Sequence, residues 1–112
     1  MAKSIIPFLL LFIAFSSNAQ KIFTVAYESQ ADVKVYVVKY ESQADLKVFK
    51  VPHESQAKNG AGNWFFTQYP SQADKKIFFV PYESQADLKI FFVGFPSQAG
   101  WRKRDKLHVM EN

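Results

Sequence analysis

Apolar residues in this chain come in short blocks separated by polar punctuation. The blocks are Lys21–Val25, Val33–Val38, Leu46–Val51, Trp64–Phe66, Lys76–Val80 and Leu88–Val93, with a weaker seventh starting at Trp101. They are rich in Val, Ile, Phe and Tyr and are bounded by turn residues, the pattern of strands about six residues long. Alternation is imperfect, because three or four apolar residues run together at the C-terminal half, which predicts that both faces are covered there. Lys34, Lys47, Lys76 and Lys89, near the strand starts, mark where each strand emerges into water.

The punctuation is a repeat. Ser-Gln-Ala begins at Ser29, Ser42, Ser55, Ser71, Ser84 and Ser97, at spacings of 13, 13, 16, 13 and 13 residues. Four copies continue into Asp (Asp32, Asp45, Asp74, Asp87), and Lys58 and Gly100 replace it in the others. Glu precedes four copies and Pro70 or Pro96 the remaining two. One place earlier stands Tyr27, Tyr40, His53, Tyr69, Tyr82 or Phe95. The long spacing holds an insertion around Lys58–Asn63. Each connector predicts a single helical turn or tight corner. Ser with Asp three residues on suggests a weak capping box, and Gln amides that lock successive corners together are the alternative.

Length restricts the architecture. A six-residue strand spans about 20 Å, and a parallel crossover normally takes a dozen residues or more. Connectors this short predict successive strands that are antiparallel, or a chain that turns corners around a closed shape. The expectation is an all-β body of about seven short strands.

The first residues read differently. Lys3 and Ser4 precede an apolar run from Ile5 to Phe15, followed by Ser17-Asn18-Ala19 with small residues at the −3 and −1 positions of a cleavage site. This is the layout of a secretory signal peptide over 1–19, leaving a single domain over 20–112. The run is short of the ~20 residues of a spanning helix. The expectation is a periplasmic or secreted monomer with no membrane span after cleavage. The chain has no cysteine, which excludes disulfides and thiolate chemistry. A net charge of +4, with acidic and basic residues interspersed, gives no expectation of nucleic-acid binding.

The run from Tyr27 to Asp45, with its doubled Tyr-Glu-Ser-Gln-Ala-Asp, and the later Trp101-Arg102-Lys103 resemble the septoil-knot family of small bacterial repeat proteins. The resemblance covers Lys21 to about Leu107. It implies a torus-knotted wrap with seven crossings, in which the chain winds twice about one axis. It implies no particular activity.

Candidate chemistry is sparse. The pairs Glu28/Asp32, Glu41/Asp45 and Glu83/Asp87 could be read as calcium or acid–base sites. The corners lack the glycine of a calcium loop, and copied carboxylates fit caps and surface pairing with nearby lysines better. His53 and His108 stand singly, without a visible nucleophile. The local charge cluster Trp101, Arg102, Lys103 and Arg104 is the candidate binding site, for an anionic ligand, with Trp101 alternatively a core plug. The expected function is an exported structural or binding module of high stability, with no catalytic residues, metal or cofactor. Two alternatives stand beside it. One is a self-assembling fibre or matrix protein built on Lys76–Val80 and Ile90–Val93. The other is a polyanion-binding protein that uses the basic end.

Overall fold

The computed structural model describes residues 20–59 and 61–111. The expected signal peptide over 1–19 lies outside the described residues. Seven strands form where the apolar blocks lie: β1 (Lys21–Thr24), β2 (Val33–Val37), β3 (Leu46–Lys50), β4 (Asn63–Phe66), β5 (Lys75–Phe79), β6 (Leu88–Phe92) and β7 (Gly100–Trp101). A last short helix spans Leu107–Met110.

The first six strands close into a ring in the order β1-β5-β2-β6-β3-β4, with β4 pairing back to β1. Every pairing in the ring is parallel. Of the two arrangements open to such short connectors, the chain takes the wrap. Successive strands are parallel but rarely adjacent, because each connector steps over an intervening strand. The turn at Glu28–Gln30, between β1 and β2, lies against β5, and the turn at Glu41–Gln43 lies against β6. The first three strands thus occupy alternate places, and the next three fill the gaps on a second circuit. The one direct neighbour step, β3 to β4, falls at the insertion. There the turn lengthens to Glu54–Asn59 and Gly62 re-enters at φ +87°. A Cβ on Gly62 would collide with the Lys47 carbonyl oxygen, so glycine is required by both backbone angle and space.

Side chains alternate across the barrel wall as period-two strands require. Ile22, Val33, Val35, Leu46, Val48, Trp64, Ile77, Leu88 and Ile90 fill the interior and are buried almost completely. The penultimate residue of each barrel strand is an outward aromatic: Phe23, Tyr36, Phe49, Phe65, Phe78 or Phe91, all half-buried. Val25, Val38, Val51 and Val80, just past the strands, are buried as well. The bunched apolar residues therefore do serve two covered faces.

The corners correct the capping expectation. Each is a 3₁₀ turn of Glu-Ser-Gln or Pro-Ser-Gln, with an aromatic at the N-cap of those with defined caps and no side-chain cap. The Asp does not close its own turn. Its Oδ2 accepts the backbone N–H of a lysine on the neighbouring strand: Lys21 for Asp74, Lys34 for Asp87, Lys76 for Asp32 and Lys89 for Asp45, at 2.7–2.9 Å. The same Asp donates its own N–H to that lysine's carbonyl at 2.7 Å. These two-bonded clasps join residues 44 or 53 apart in sequence. A carboxylate at a strand start supplies a charge-assisted acceptor to a donor that the ladder would leave over. The glutamine alternative appears only locally: Gln56 Oε1 accepts from the His53 N–H, and Gln72 meets the Thr67 hydroxyl.

The strand-start lysines are less free than expected. Lys34, Lys47 and Lys89 are half-buried and pair with Glu28, Glu41 and Glu83 at 3.3–3.6 Å. Glu54 lies before the insertion and pairs with Lys21 of β1 instead.

Candidate functional site

The two ends of the barrel decide where a ligand could enter. At the end where the strands begin, β7 pairs antiparallel with Leu46 and Lys47. The Lys75 ammonium donates to the Glu111 carbonyl. The C-terminal segment therefore lies across this end, and Met110, with Val109 and Trp101 against it, completes the core.

The opposite end stays open. It is a cavity of about 300 Å³ lined by Thr24, Val37, Lys50, Phe66, Phe79 and Phe92. Each is the last residue of its strand. Parallelism produces this ring, since all six strands finish at one end and present the same register position there. Three phenylalanines make the wall, and Trp64, deeper in the barrel, meets Phe66 edge to face with ring centroids 6.0 Å apart. Lys50 is the one charge. Its Nζ stands 4.6 Å from the Phe92 ring centroid and 5.7 Å from that of Phe66. No carboxylate or carbonyl among the described residues accepts from it. Sequence reading missed Lys50, because Leu46–Val51 looks like any other strand. Alignment of the six repeats on their strand ends is the signal: one lysine stands in a column of Thr, Val and Phe.

The residues singled out from sequence lie elsewhere. Trp101 is half-buried on the core. The Arg102 guanidinium donates to the carbonyls of Ser42 and Ala44 at 2.8 and 3.0 Å. The backbone N–H groups of Arg102 and Lys103 both donate to the Asp45 carbonyl. Lys103 and Arg104 are exposed. This cluster is thus brought to the β3 corner, at the closed end, and not to the mouth. His53 is exposed at a corner, and His108 Nδ1 donates to the Asp105 carbonyl at 3.0 Å. The paired carboxylates divide their work, the glutamates toward lysine side chains and the aspartates toward backbone. Among the described residues no cluster of three or more His, Asp or Glu is placed to hold a metal ion, and no helix is long and apolar enough to cross a membrane.

Residues 19–102 match a family described as the 7(1) septoil knot domain. The comparisons with curated proteins and with solved structures return no match. The family match ends before the helix that closes the strand-start end.

Proposed function

The chain belongs to the septoil knot domain family, and on that premise we propose that it is an exported, monomeric and non-catalytic binding scaffold of high kinetic persistence. One observation carries this reading: every barrel strand takes both neighbours from the other circuit of the wrap. Opening any seam but β3–β4 therefore means separating strands whose paired residues lie 44 or 53 apart in sequence, and four of those seams also carry aspartate clasps. Contacts this distant in sequence form late and are lost slowly. The repeated glutamates and aspartates are engaged in holding the scaffold, which favours a structural role for them over acid–base chemistry. Export rests on the Met1–Ala19 layout.

The fibre alternative is weakened by ring closure, because the six barrel strands are paired on both edges and β7, which pairs only with β3, is two residues long. The polyanion alternative has less to use than its sequence suggests, since Arg102 already serves two carbonyls.

The deciding measurement is the unfolding rate of the purified chain after dilution into guanidinium, with its mass in solution followed in parallel. The scaffold reading predicts a monomer that, extrapolated to water, unfolds more slowly than ~10⁻⁵ s⁻¹, the slow end for small domains. Unfolding within seconds, or seeded growth of β-rich fibrils, overturns it.

A further inference from the structure

We propose that the open end of the barrel binds a small amphipathic carboxylate, with Lys50 as its counter-charge and Phe66, Phe79 and Phe92 as the walls for its apolar part. The proposal rests on the binding-scaffold reading and gives it a site and a ligand class.

Three observations lead there. The first is the cavity itself, which is concave, mostly apolar and at the small end of ligand-site sizes. That volume suits a medium-length acyl chain or a single substituted ring and is too small to enclose a long lipid. The second is the state of Lys50. The lysines at the strand starts of β2, β3 and β6 are matched by Glu28, Glu41 and Glu83. Lys50, exposed at the rim, has no protein acceptor among the described residues and lies over the rings of Phe66 and Phe92, which attract a cation without filling its donors. An ammonium with three donors and no acceptor, at the rim of an apolar cup, is complementary to a carboxylate. The third is the sign of charge. The cup's aromatic faces already hold a cation from the chain itself, so a second cation meets repulsion. The clefts along the outer corners differ in kind. One is lined by Glu28, Asp32, Lys34 and Asp87, charges already paired with one another or with backbone.

The two parts of the ligand have separate anchors. The apolar part displaces water from the phenylalanine walls, which supplies most of the affinity. The carboxylate takes charge-assisted hydrogen bonds from Lys50, which fix orientation and exclude neutral analogues.

The test uses octanoate as the probe, with octanol and octylammonium as charge controls, on the purified full chain. Binding is read from backbone amide shifts and from the indole N–H of Trp64, which adjoins Phe66. Octanoate is expected to shift Thr24, Val37, Lys50, Phe66, Phe79 and Phe92 together, and octanol to bind about tenfold more weakly. Lys50→Gln should remove that preference and leave octanol binding unchanged, and Lys50→Arg should restore it. The proposal is overturned if octanol or octylammonium binds as tightly as octanoate, if Lys50→Gln binds octanoate normally, or if nothing shifts. Shifts confined to Trp101–Arg104 overturn it in favour of the basic end. The unfolding rate of the unaltered chain separates the two readings, and an equal rate in ligand-free Lys50→Gln shows that the variant keeps its fold. Slow unfolding of an unaltered chain that binds no octanoate rejects the site and keeps the scaffold, whereas fast unfolding of an unaltered chain that binds it rejects the scaffold alone.

Discussion

Where the barrel strands begin, Met110, Val109 and Trp101 extend the core until it is sealed; where they end, Thr24, Val37, Lys50 and three phenylalanines stop short of one another. Both ends are made by one repeat. The closed end is completed by chain that comes after the sixth repeat, whereas the open end has only the repeat's own last residues to fill it. A barrel of near-equal strands supplies equal positions at both rims, so closure at one rim needs an additional segment. The open rim is accordingly where side chains are free to differ among repeats, and there the column varies from Thr to Val to Lys to Phe.

This difference makes predictions that fall in order of size. Met110→Ala should cost most, about 2–3 kcal/mol in equilibrated guanidinium titrations, since it leaves a cavity where the closing helix meets the core. A loss under half that value would mean that the closed end is not part of the cooperative core. Next comes the aspartate clasp. Asp45 is buried, and its backbone carbonyl also holds Arg102 and Lys103, whereas Asp87 is exposed. Asp45→Ala should cost about 1–2 kcal/mol through the unsatisfied Lys89 amide, and Asp87→Ala less. Equal losses at the two sites would remove burial as the source of the difference. The smallest effect belongs to the open rim: Phe79→Leu should change stability by about 1 kcal/mol or less, while lowering octanoate affinity. A loss as large as that of Met110→Ala would show that the rim is packed like a core and erase the contrast between the ends.

How much of this was legible can be judged residue by residue. The six barrel strands lie within one residue of the apolar blocks at every boundary, because short runs of β-branched and aromatic residues bounded by turn residues favour strands. The role of Asp32, Asp45, Asp74 and Asp87 was not legible. Their partners lie 44 or 53 residues away, and a local motif such as a capping box is all that spacing can suggest. Arg102 likewise reads as a free cation in sequence and becomes a bridge to Ser42 and Ala44 only in three dimensions. Gly62 stands in between: an insertion with glycines announces a turn, but the contact with Lys47 that demands glycine arises only when the chain re-enters beside β3.

By itself the sequence determined the unit: a strand with inner aliphatic residues, an outer aromatic and a Glu/Pro-Ser-Gln corner, written six times. It also determined that short connectors could not make ordinary parallel crossovers. Tertiary structure alone decided which copy pairs with which. Near-identical repeats are almost interchangeable as partners, so local preference does not distinguish β5 from β2 as the neighbour of β1. Ring closure does, because corners that each step over one place leave gaps between the first three strands, and the edges there are satisfied only when the second circuit fills them. The same closure gathers the strand ends into one mouth and sets Lys50 there.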